Sequence, residues 1–105
     1  MRVLLDECLP RRLKRSLPGR DVITVVEAGW GGKQNGELLR AIAGAVDAFV
    51  TIDKNLTYQQ NLKAISFGII VLMAENRLSV LLPLAPRILA ALQDLKAGQV
   101  VKVGG

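Results

Sequence analysis

The sequence predicts a doubly wound α/β fold, a three-layer α/β/α sandwich around a mainly parallel five-stranded sheet. Three observations predict it. Five short apolar runs recur at 2–5, 22–26, 48–52, 68–73 and 99–103, with stretches of helical character between them. The inner runs lack polar alternation, as strands covered on both faces do. Proline and glycine punctuate the run ends.

Each element has its own local reason. Residues 2–5 read as a buried strand, after which Pro10 suits the first turn of a helix with Leu9, Leu13 and Leu17 as its apolar stripe and Pro18-Gly19 as its stop. Val22 to Val26 is β-branched and compact, hence a strand. Four glycines around Trp30 make the stretch from Glu27 to Gly36 a loop or a very short helix. Asn35 is a good N-cap for a helix running through Ala43 toward Gly44 or Ala45, with Leu38, Leu39, Ile42 and Val46 on its buried side. Ala48 to Ile52 is the third strand, and Lys54 to Lys63 makes a short polar helix crossing back over the sheet. Gly68 to Met73 is the clearest buried strand. Leu78 to Leu95 is helical with a break near Pro83 and Pro86, and Gln99 to Val103 forms an edge strand.

Composition bounds the function. A length of 105 residues, half of them hydrophobic, suits one domain over residues 1–105. No apolar stretch reaches the roughly 20 residues of a membrane span, and the start meets Asp6 too early for a secretion signal, so a cytoplasmic protein is expected. There is no histidine, and Cys8 is the single cysteine. This excludes imidazole-based nucleophilic catalysis, His-ligated zinc, an internal disulfide and a Cys-x-x-Cys redox pair. Cys8 beside Leu9 reads most simply as buried packing. The net charge of +5 and the block Arg11, Arg12, Lys14, Arg15 and Arg20 attract polyanions, or form a solvated helix face. With four aromatic residues in the chain, stacking platforms for bases are scarce.

Two apolar runs end in acids: Leu4-Leu5-Asp6-Glu7 and Val50-Thr51-Ile52-Asp53. In a doubly wound sheet strands 1 and 3 are commonly neighbours where the strand order reverses, so Asp6 and Asp53 are expected to face one crevice. Glu7 and, from the side, Glu37 complete the acids this architecture can gather. Carboxylates and water suit Mg²⁺ or Mn²⁺, which activates water and offsets charge on a phosphodiester without histidine. Helix capping by each of these acids is the alternative. Lys54 is a candidate phosphate contact and Thr51 a candidate partner of a metal-bound water. Tyr58, Gln59, Gln60 and Asn61 are candidates for a groove, and Trp30 for either a base contact or a hydrophobic plug.

Leu4-Leu5-Asp6-Glu7-Cys8-Leu9-Pro10 resembles the opening of small PIN-like domains of uncharacterised function, relatives of the VapC-type toxin nucleases. Val50-Thr51-Ile52-Asp53-Lys54-Asn55-Leu56 is similar to their second acidic element, and Asn35-Gly36-Glu37-Leu38-Leu39 lies where they start an acidic helix. The resemblance covers nearly the whole chain in order and spacing. It implies a PIN-like fold and Mg²⁺- or Mn²⁺-dependent RNA cleavage by Asp6, Asp53 and Glu37, with Glu7 as an accessory ligand. Asn55 and Asn35 depart from the pattern, standing where relatives often carry aspartates.

Three functions follow as expectations. The first is a metal-dependent ribonuclease, the toxin of a toxin–antitoxin pair with a cognate antitoxin protein, meeting the RNA backbone through Arg11, Arg12, Lys14, Arg15, Lys54 and Asn55. The second is a non-catalytic PIN-like module that binds RNA or protein. The third is a receiver-like phosphoacceptor domain, which wants a hydroxyl after strand 4 and a lysine after strand 5. An exposed apolar patch around Leu78 to Leu84 would support a homodimer.

Overall fold

The computed structural model describes residues 1–33, 35–54 and 65–104. Five strands, β1 (Arg2–Leu5), β2 (Asp21–Thr24), β3 (Ala48–Thr51), β4 (Gly68–Met73) and β5 (Val100–Gly104), pair in the order β2-β1-β3-β4-β5. Every pairing is parallel. The order reverses between β1 and β3, as the sequence predicts, and this is where an open α/β sheet leaves a crevice beyond its strand ends.

Successive strand residues point to opposite faces, and here both faces are buried. Val3, Leu5, Val50, Ile70 and Leu72 join one core, completed by Leu9, Leu13 and Leu17 and by Leu81, Leu84, Ile88 and Leu92 from the C-terminal helices. Leu4, Phe49, Ile69 and Val71 join the other, covered by Leu38, Leu39 and Ile42 of α1 (Asn35–Ile42), with Val46 and Phe67. Helical segments on both faces of a parallel sheet make this the expected α/β/α sandwich.

Local chemistry moved several boundaries. The first helix is a 3₁₀ segment, Arg11–Ser16, following Pro10, and Leu13 within it and Leu9 and Leu17 flanking it are buried as expected. The chain leaves it through Gly19, whose φ of +79° is a conformation glycine adopts without steric cost. β2 ends at Thr24 rather than Val26, which is 65% exposed. The C-terminal helical stretch divides at its prolines into α2 (Leu78–Leu81), a 3₁₀ turn (Leu82–Leu84) and α3 (Ala85–Asp94). Leu81 and Leu84 turn into the core, so of the expected apolar patch Leu82 is the large side chain left exposed. The helix expected over Lys54 to Lys63, with Asn55, Tyr58, Gln59, Gln60 and Asn61, lies outside the described residues apart from Lys54. No helix of the described residues is long and apolar enough to cross a membrane.

Candidate functional site at the strand ends

The register places Leu5 opposite Val50, so the residues that follow, Asp6 and Thr51, meet where β1 and β3 end. The Asp6 amide donates to the Val50 carbonyl at 2.9 Å, prolonging the ladder by one bond. The Asp6 carboxylate accepts twice: Oδ1 from the Glu7 amide at 2.8 Å and Oδ2 from the Thr51 hydroxyl at 2.7 Å. Thr51 is fully buried, and its oxygen in turn accepts the Asp53 amide at 3.0 Å. One buried hydroxyl therefore joins the Asp6 carboxylate to the main chain of Asp53. Thr51 thus bonds within the protein on both sides of its hydroxyl.

Three further bonds hold this edge in shape. The Leu9 amide closes on the Asp6 carbonyl at 3.0 Å. The Asn76 side chain, from the loop after β4, donates to the Cys8 carbonyl at 2.7 Å and ties two strand-end loops together. Glu7 reaches the glycine loop, where its carboxylate accepts the Gly32 amide at 3.1 Å. Glu7 is thus a loop anchor, and Glu37 stands exposed in the first turn of α1.

Among the described residues no group of three or more carboxylates or thiols could hold a metal ion, so the expected cluster of Asp6, Glu7, Glu37 and Asp53 is not gathered in full. A smaller donor set remains. Mg²⁺ keeps several waters and binds through one or two carboxylates plus substrate phosphates. The Asp6 carboxylate that would bind it is held by the Glu7 amide on Oδ1 and the Thr51 hydroxyl on Oδ2. Asp53 follows the neighbouring strand end, and Lys54 next to it is exposed.

Cys8 corrects an expectation: it is exposed, because the chain turns away from the sheet after β1 and Leu9 alone of this turn points into the core. Partial covering of its sulfur, followed by the charge of Asp6, pushes the thiol up to about 11. Trp30 is half-buried and packs against the α1-side core, the plug reading of the two. The receiver-like set is not assembled in the described residues: Met73 and Ala74 follow β4, and Lys102 lies inside β5 opposite Val71.

The basic block forms a second site, on the other side of β1. In a 3₁₀ helix side chains three apart eclipse, so Arg11 lines up with Lys14 and Arg12 with Arg15, while Leu13 points inward. With Arg20 they line an open groove of about 1080 Å³ between this segment and edge strand β2. Glu27 lines it too. It accepts Lys14 at 3.0 Å and the Thr24 amide at 3.0 Å, while its own amide donates to the Thr24 hydroxyl at 3.1 Å. The Lys14 ammonium foremost, then the Thr24 amide and hydroxyl, hold the Glu27 carboxyl below its ordinary value. Glu27 did not stand out as a site residue in the sequence; the Thr24-x-x-Glu27 spacing of a reciprocal cap was its readable signal.

No protein-family model, curated protein or solved structure matches this chain.

Proposed function

We propose that the chain is a PIN-like endoribonuclease dependent on Mg²⁺ or Mn²⁺, with its reactive centre in the crevice between β1 and β3. The observation that carries this reading is the hydrogen-bonded link from Asp6 through Thr51 to Asp53, built where the strand order reverses. The absence of histidine supports it, since hydrolysis must then rest on carboxylates and an ion. Asp6 and Asp53 would hold that ion with waters and phosphate oxygens. When bound, it supplies an activated water and offsets charge developing on the phosphodiester. The protein's own part is to fix Asp6 through Thr51 and the Glu7 amide, and to draw RNA in by its cations. The resemblance to VapC-type nucleases adds the setting, a cytoplasmic toxin restrained by an antitoxin protein.

The test is cleavage of RNA in Mn²⁺ by the wild type, Asp6→Asn and Asp53→Asn, with circular dichroism to show that the fold survives. The expected loss is about 100-fold or more, the upper end of what removing even an outer partner of a metal costs. Equal cleavage by all three proteins, or undiminished cleavage in excess chelator, overturns the reading.

One observation favours a second reading. No three-acid group is assembled among the described residues, and Asn35 and Asn55 replace expected acids, which suits a module that binds RNA without cutting it. Titration calorimetry separates the two. A Mn²⁺ heat abolished by Asp6→Asn supports the nuclease, and RNA binding with no Mn²⁺ heat supports the module.

A further inference from the structure

We propose that the groove between the Arg11–Ser16 segment and β2 binds the phosphate backbone of base-paired RNA rather than an unstacked single strand. This rests on the reading above only in taking RNA as the ligand.

Charge is the first argument. The groove is lined by five cations against two carboxylates, Asp21 and Glu27. Of the cations, Lys14 is paired with Glu27, while among the described residues Arg11, Arg12 and Arg15 make no ion pair and Arg20 bonds the Gly19 carbonyl beside it. The three unpaired guanidiniums are exposed, so meeting phosphates costs them no internal partner. Their arrangement is the second. Eclipsed side chains in a 3₁₀ helix set the cations in two short rows, each advancing about 6 Å from one residue to the next, three residues at about 2 Å each. Rows of this pitch suit successive phosphates along a nucleic-acid strand.

The third argument is what the groove lacks. Proteins that hold single strands without sequence preference add aromatic side chains on which the unpaired bases stack. Among the described residues no aromatic side chain lines this groove. Phe49 and Phe67 are fully buried and, like Trp30, belong to the core on the opposite face of the sheet, whereas Leu13 and Leu17 of the groove's own segment belong to the other core. The described residues of the groove would meet the phosphates of a single strand and offer its bases no stacking platform. A duplex keeps its bases stacked internally and is recognised by shape and backbone, the contacts available here.

The experiment is fluorescence anisotropy in EDTA, which stops any metal-dependent cleavage and so keeps this test independent of the nuclease reading. The probes are an RNA duplex of about 16 base pairs and each of its strands alone, titrated at several salt concentrations. The duplex is expected to bind at least about tenfold more tightly, and Arg11→Ala, Arg12→Ala and Arg15→Ala each to lower the salt slope by about one. Thermal melts confirm that these exposed substitutions leave the fold intact. Equal or tighter binding of the single strands, unchanged slopes in all three variants, or binding of neither RNA overturns the proposal. No cleavage of RNA by the wild type in Mn²⁺, with duplex binding in EDTA retained, would overturn the nuclease reading and leave this one standing.

Discussion

Thr51 gives its one hydroxyl proton to Asp6 and receives the amide proton of Asp53, so a side chain without exposure fixes two strand ends at once. Thr51→Val keeps the shape and leaves two polar groups without their partner. It is expected to cost about 1–3 kcal/mol in urea unfolding, with Thr51→Ser close to wild type. A single urea midpoint shared by all three proteins would deny the link this weight. Asp6 and Asp53 were legible in the sequence because each follows an apolar run. The Thr51 link was not, because it depends on the register that sets Leu5 against Val50 across β1 and β3, and no local pattern reveals a register.

Cys8 titrates under the same neighbour. Its thiol is raised from 9.0 to about 11 by partial covering and then by the Asp6 charge. A raised acid group contributes stability below its unfolded value and loses it as pH climbs through the folded one, so this contribution fades between about pH 9 and 11. Alkylation by iodoacetamide at pH 8 is expected to be slower than for an unstructured cysteine, and faster in Asp6→Asn than in wild type. Equal rates in the two proteins would show that Asp6 does not act on the sulfur.

At the scale of elements, β2 shows how a side chain overrules propensity. Val25 and Val26 are β-branched and read as strand, yet the Thr24–Glu27 exchange bends the chain out of the sheet after Thr24. Because Glu27 titrates below its ordinary 4.5, its contribution is present above that pH and is lost as the pH falls beneath it. Glu27→Gln is therefore expected to be less stable than wild type at pH 7, with the difference shrinking in acid below about 4.5, as urea midpoints at the two pH values would show. The long C-terminal helix was legible in its limits and in its break, since Pro83 and Pro86 cannot continue a helix ladder.

β4 begins against α3's trailing residue. A Cβ on Gly68 would lie 2.3 Å from the Leu95 Cγ, closer than the two atoms can approach. Gly68→Ala is expected to destabilise the protein by about 1–3 kcal/mol through overpacking. Leu95→Ala should recover part of that in the double variant, a coupling that additive urea midpoints would refute.

Across the whole molecule, the fold class came through in the sequence because both faces of the sheet are buried, which turns the strands into near-continuous apolar runs. The site came through less completely. Sheet order and strand-end acids follow from topology, whereas gathering Glu7 and Glu37 depended on where loops take their side chains. Glu7 reached for the Gly32 amide, and Glu37 stayed on the surface of α1.

The place of β1 also governs time. It is the earliest strand in the chain and lies between β2 and β3, and its far neighbour is distant in sequence: Arg2 bonds Asp47 across 45 positions. An all-parallel sheet must close such long loops before its contacts reward them, so folding is expected to be slow for a domain of this size. β5 joins only at the outer side of β4. Stopped-flow chevrons should then find Leu4→Ala slowing folding and Val103→Ala chiefly speeding unfolding. The crevice between β1 and β3 would thus be drawn together in the rate-limiting step, and the free edge added after it.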